Sequence, residues 1–162
     1  MKKNGVLYSF FSILLILSVS FSVISCNDRD EEVAGNSDFS TYKVEIKYSG
    51  DIQNWEERLS ISTTVKSPVE PSLKGVVVSN SEKISDAEYR FLLPQNSPFD
   101  KNFETSPNIK SIAINGNITM KNSNAQQVTA VVKVYKNNEL KFESPFVFNS
   151  SNTYPYYNIN VN

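Results

Sequence analysis

Few residues of this chain are equipped for catalysis, and those few are poorly grouped. The 162 residues include no His. That removes the side chain that most often moves protons at neutral pH and most often binds transition metals. The single Cys, Cys26, permits neither an internal disulfide nor a Cys-based zinc site. Triads that pair Ser or Cys with His are excluded, and neither a phosphate-cradling glycine loop nor a G-x-S-x-G elbow occurs. Glycoside hydrolysis needs only two carboxylates, and the nearest pairs are Glu56-Glu57 and Asp86-x-Glu88. Adjacent residues on a strand point to opposite faces, so Glu56 and Glu57 should not converge. No D-x-D-x-D-G spacing marks a calcium loop. The expectation is a protein that is not an enzyme and uses no cofactor.

Recognition chemistry is better supplied. The chain has ten Phe and eight Tyr, and an aromatic ring offers apolar area with, in Tyr and Trp, a polar tip. Trp55, Phe99 and Phe103 fall in segments that read as loops, and Tyr154-Pro155-Tyr156-Tyr157 forms a dense run near the end. Trp55, Phe99, Phe103, Tyr154 and Tyr156 are therefore the candidate binding aromatics, suited to stacking on a sugar or to a hydrophobic ligand. The competing reading puts Trp55 and Tyr157 in the core and lets the others cap the ends of the fold. A net charge of −1 gives no electrostatic footprint for nucleic acid.

The elements that must hold these residues are strands. From Tyr42, apolar Tyr42, Val44, Ile46 and Tyr48 alternate with Lys43, Glu45 and Lys47, the period of a strand with one buried face. Leu59, Ile61, Thr63 and Val65 repeat it, Gly75 to Val78 is a short β-branched run, and Tyr89, Phe91 and Leu93 alternate again. Residues 94–108 contain three prolines and no period, and read as a long loop. Ile112, Ile114, Ile118 and Met120 share one parity across Asn115-Gly116, which favours one long strand over a hairpin there. Val128 to Tyr135 carries apolar residues on both parities, which suggests a central strand. Asn137-Asn138 then suits a two-residue type-I′ turn into Glu139–Phe148, where Pro145 points to an edge or a bulge. Tyr157, Ile159 and Val161 close the chain. Ile52–Arg58 has room for one helical turn at most. Seven or eight short strands without helical period predict an all-β fold over residues 41–162. The expected form is a single β-sandwich of immunoglobulin-like or transthyretin-like type, with a small barrel as the alternative.

The N-terminus follows different rules. Lys2 and Lys3 precede an uncharged stretch from Gly5 to Ser25 centred on Ile13–Leu17, the order of a signal peptide. Val23-Ile24-Ser25-Cys26 resembles the lipobox of bacterial lipoproteins. The resemblance covers only the first 26 residues. It implies cleavage before Cys26, removal of 1–25 and acylation of the Cys26 thiol, hence anchoring by lipid. One acyl chain holds a protein to a bilayer only marginally, whereas two or more hold it stably. Residues 26–40 then read as a polar tether, with a root-mean-square reach of about 20 Å. Residues 27–38 carry a balance of −4 and residues 39–162 a balance of +1, so the negative excess of the mature chain lies in the tether. The acidic run Asp28, Asp30, Glu31 and Glu32 after the Cys resembles the surface-export signal of Bacteroidota-type lipoproteins. That implies an outer-membrane protein displayed at the cell surface, with a periplasm-facing position as the alternative. The expected partners are the membrane, through the lipid, and a glycan or protein ligand. Two functions fit: a surface binding or adhesion module, or an accessory, inhibitor or immunity-type lipoprotein that binds a protein.

Overall fold

The computed structural model describes residues 39–66, 69–94, 100–151 and 156–162. Cys26, the acidic residues Asp28, Asp30, Glu31 and Glu32, and the aromatics Phe99 and Tyr154 lie outside the described residues.

Apolar alternation becomes strand after strand. The strands are β1 (Tyr42–Gly50), β2 (Trp55–Val65), β3 (Leu73–Lys74), β4 (Asn80–Lys83), β5 (Glu88–Leu92), β6 (Lys101–Thr105), β7 (Ile109–Met120), β8 (Val128–Lys136), β9 (Glu139–Phe148) and β10 (Tyr156–Val161). One turn of 3₁₀ helix, Ile52–Asn54, joins β1 to β2. Antiparallel pairing builds two five-stranded sheets, the first in the order β3-β6-β1-β8-β9 and the second in the order β10-β7-β2-β5-β4. Inward side chains from both sheets belong to one hydrophobic core, whose largest fully buried members are Trp55, Tyr42, Tyr157 and Phe103. The β pairing begins at Ser40, which bridges to Ile109.

Local chemistry fixes the turns. Asn137 and Asn138 take φ of 50° and 67°, the left-handed values that a type-I′ hairpin requires and that Asn tolerates. Asn137 also accepts a hydrogen bond from the Thr41 N–H through its side chain at 3.0 Å, which ties the turn to the start of β1. β9 is an edge strand, the position where Pro145 withholds its missing N–H at no cost to a neighbour.

Gly116 has a different reason to be glycine. It lies mid-strand, paired with Leu59 on one side and Tyr157 on the other. A Cβ there would stand 2.1 Å from Cζ of Tyr157, so the tyrosine ring occupies the space a side chain would need. The ring is held by Phe146, with centroids 5.0 Å apart, and cannot swing away freely. Gly116→Ala is therefore expected to cost about 1–3 kcal/mol, the usual toll of overpacking, in urea denaturation.

Several expectations need correction. There are ten described strands rather than seven or eight. Residues 94–108 are not one loop, because β6 occupies Lys101–Thr105 and pairs with β1. Phe103 is thus a core residue of β6, 1% exposed, and not a loop aromatic. Trp55 is also 1% exposed and opens β2, because that strand starts four residues before its apolar alternation does. The β-branched run at 75–78 is not a strand. Leu73–Lys74 is, and Gly75 ends it with a φ of +93°. β8 is internal, but β1 is the middle strand of its sheet.

Candidate functional site

The outer faces of the two sheets differ in chemistry. On the first sheet the outward face carries paired Lys and Glu side chains, set beside Thr129, Val131, Tyr135, Pro145 and Val147 of β8 and β9. Lys43 pairs with Glu45 at 2.7 Å, Lys133 with Glu143 at 2.9 Å, and Lys141 with Glu139 at 2.6 Å. Contact with Lys43 holds the Glu45 carboxyl below its ordinary range, and contact with Glu143 raises Lys133 above its own. Such a face is solvated and self-satisfied.

The second sheet carries charge on β2, β5 and β4, where Arg90 pairs with Glu82 at 3.6 Å, but presents amides and hydroxyls over β10 and most of β7. Pairing registers place Arg58, Asn117 and Tyr156 in one row across β2, β7 and β10. The next row is Leu92, Ser60, Asn115 and Asn158, across β5, β2, β7 and β10. Beyond it Arg90, Ser62, Ala113 and Asn160 form a third row across the same four strands. From Ser111 to Thr119 the outward positions of β7 carry no charge, nor do Asn158 and Asn160 on β10. Arg58, Asn117 and Tyr156 of the first row and Leu92, Ser60 and Asn115 of the second, with Ser79 beside them, line a shallow groove of about 580 Å³, and Asn158 flanks it on β10. Tyr156 is 60% exposed at one end and Leu92 39% exposed at the other. Among the described residues Arg58 enters no ion pair.

Of the three candidate binding aromatics among the described residues, Trp55, Phe103 and Tyr156, the structure brings Tyr156 alone to a surface groove. Trp55 and Phe103 are core. The indole N–H of Trp55 donates to the Gln126 carbonyl at 2.8 Å, so even its polar tip is used internally. Arg58, Ser60, Leu92, Asn115 and Asn117 were not singled out by sequence. A signal existed: Asn is depleted in strands, yet Asn115, Asn117, Asn158 and Asn160 all fall on non-core parity beside core-forming neighbours.

A second cluster is buried between the sheets. Glu57 of β2 meets Lys101 of β6, and the Tyr48 hydroxyl of β1 donates to the same carboxylate. The Tyr157 hydroxyl of β10 donates to Glu57 at 3.2 Å and lies 3.2 Å from the Tyr48 hydroxyl. Glu56, on the opposite face of β2, cannot act with Glu57 as a carboxylate pair. Asp86 is held by Lys83 at 2.8 Å, at the exposed end of β4. Burial, reinforced by the neighbouring phenol and carboxylate, raises the Tyr48 phenol far above 10, and burial with the Glu57 charge does the same to Tyr157.

These raised phenols have a consequence at alkaline pH. Below pH 10 both tyrosines are protonated in the folded and unfolded chain, and their contribution is complete. Above pH 10 the unfolded chain loses two protons that the folded chain keeps. Stability is then expected to fall by about 2.7 kcal/mol per pH unit from this pair, at about 1.36 kcal/mol for each retained proton. Urea midpoints between pH 9 and 11.5 measure the slope, and Tyr48→Phe should remove about half of it.

A knot of polar loop residues lies between β1 and β2 and between β7 and β8. Asp51 accepts from the Asn54 side chain at 2.8 Å and from the Gln126 N–H at 2.8 Å, which keeps its carboxyl below the usual range. Asn122 donates to Asn54 at 2.8 Å. No three His, Cys, Asp or Glu side chains converge among the described residues.

No protein-family model matches the chain, and no curated protein matches it. Solved structures do resemble it. A crystal structure of a DUF4425 family protein from Bacteroides ovatus has a TM-score of 0.54 at 13% identity, covering 75% of this chain and 95% of that one. A DUF4425 domain of unknown function from Bacteroides vulgatus gives 0.53 at 16% identity, covering 76% and 96%. The calcium-bound form of a protein from Parabacteroides distasonis, solved by NMR, gives 0.55 at 18% identity, covering 76% and 92%. The Asp51 knot does not match a calcium site, because its carboxylate is already taken up by N–H donors. At these identities the likeness is one of fold, and the chain shares with these Bacteroidales proteins an all-β architecture of two antiparallel sheets.

Proposed function

We propose that this protein is a lipid-anchored outer-membrane lipoprotein, displayed at the cell surface, that works as a non-catalytic binding module. Its finer architecture is a β-sandwich of the immunoglobulin-like or transthyretin-like kind. The observation that carries the binding role is the groove on the outer face of the second sheet, where Tyr156 stands exposed among hydrogen-bonding side chains of which Arg58 alone, among the described residues, is charged. Strands are stiff supports, so little order is lost when such a face meets a ligand. The membrane role rests on Lys2 and Lys3, the apolar stretch, Cys26 and the acidic run that follows.

Protease shaving of intact cells tests the surface assignment. Wild type should be cleaved, and Cys26→Ala should be lost from the outer-membrane fraction. A variant with Asp28, Asp30, Glu31 and Glu32 changed to their amides should become protected. Protection of the wild type until the outer membrane is broken would instead favour the periplasm-facing reading, an accessory or inhibitor lipoprotein. One observation supports that second reading: β9 is an edge strand carrying exposed Leu140 and Val147, the kind of edge to which a protein partner adds a strand.

A further inference from the structure

We infer that the ligand of the Tyr156 groove is a neutral oligosaccharide, bound across β5, β2, β7 and β10 with one sugar ring stacked on Tyr156. This rests on the binding-module reading and names its ligand class. The two outer faces meet solvent differently over their central strands. The first sheet shows the ordinary solution to exposure, paired Lys and Glu. The second sheet forgoes charge from Ser111 to Thr119 of β7 and over β10, and carries Asn115, Asn117, Asn158 and Asn160 there instead. Asn is a poor strand residue, so its use at four outward positions reflects something other than strand formation.

A pyranose presents an apolar face of C–H groups and a rim of hydroxyls. Each hydroxyl both donates and accepts. The Asn amide likewise holds two donors and an acceptor on a short, planar group. Asn115 and Asn117 stand on one strand with parallel outward placement, and Ser60 and Arg58 are their cross-strand partners. The guanidinium adds a planar fork of donors suited to neighbouring hydroxyls. Tyr156 supplies the apolar face for the ring.

Other ligand classes fit less well. A protein interface of useful strength has a desolvated apolar centre, whereas this groove offers only Leu92 and Tyr156 as exposed large apolar side chains. Nucleic acid needs several cations along its backbone, and Arg58 is the only charged residue lining the groove. The volume of about 580 Å³ falls within the usual span for small-ligand sites. Three strand spacings separate Leu92 from Tyr156, roughly 14 Å. That length suits a short oligosaccharide better than a single ring.

The test is affinity electrophoresis of the full-length chain in detergent, through gels that contain glucan, mannan, xylan, galactan or, as the anionic arm, polygalacturonate. At least one neutral polymer should retard the wild type. Tyr156→Ala should weaken that retardation tenfold or more, and Asn117→Ala severalfold. Lys133→Ala, on the opposite face, should leave it unchanged. Retardation by polygalacturonate alone, or equal retardation of Tyr156→Ala, would overturn the inference. So would no retardation by any neutral polymer. A photoreactive residue at position 117 separates that failure from failure of the binding face itself. A protein adduct formed on cells would keep the face and replace the ligand class. No adduct and no retardation would remove both.

Discussion

Lys101→Met should cost about 3–5 kcal/mol of stability, measured as a lowered urea midpoint. The effect is large because of what remains. Glu57 is 4% exposed and would be left between the sheets with the Tyr48 and Tyr157 hydroxyls but no opposing charge. An unpaired buried carboxylate loses its hydration without recovering it. Glu57→Gln should be costly for the converse reason, since it takes the opposing charge from the buried Lys101 ammonium. The double variant Lys101→Met with Glu57→Leu should recover most of the loss, because a buried ion pair is often matched by apolar side chains of similar volume. The two tyrosine hydroxyls, 3.2 Å apart, can then satisfy one another. If either single variant lies within about 1 kcal/mol of wild type, the pair is not buried as described. The pair joins β2 of one sheet to β6 of the other, so its role is to fix how the sheets stack.

The second large effect separates two aromatics that sequence placed in one class. Trp55→Ala should destabilise the fold by about 3–5 kcal/mol, as expected for emptying a large core site. Trp55→Phe keeps much of the volume but orphans the Gln126 carbonyl, and should cost about 1–3 kcal/mol. Tyr156→Ala, by contrast, removes a ring that is 60% exposed and should change stability by less than about 0.5 kcal/mol. Thermal melts of the three variants decide the matter. A stable Trp55→Ala would mean the indole is not a core side chain.

The same buried pair explains much of what sequence could and could not reveal. β1, β7, the Asn137-Asn138 turn, the edge position of Pro145 and the closing strand were all legible, because their inward residues are apolar and their turns have distinctive chemistry. β6 was hidden because its inward positions are Lys101, Phe103 and Thr105, a pattern with one apolar member in three. β2 seemed to start late because Glu57 fills an inward position between Trp55 and Leu59. Three polar residues at core positions, Lys101, Thr105 and Glu57, thus concealed one strand and the start of another, and sent Trp55 and Phe103 into imagined loops. β4 escaped notice because all four of its residues are exposed, and only pairing with β5 makes it a strand. The candidate site was half legible. Tyr156 stood out as an aromatic near a turn, but the groove depends on the registers of four strands, which no single segment encodes.

The most direct measurement is the side-chain amide spectrum of ¹⁵N-labelled full-length protein in detergent, titrated with a mixture of neutral gluco-, manno-, xylo- and galacto-oligosaccharides. The account predicts that the Asn115, Asn117 and Asn158 amides shift in a saturable way while that of Asn102, exposed on the first sheet, stays still. Shifts confined to Asn102 and its neighbours, or a spectrum that does not change, would contradict it.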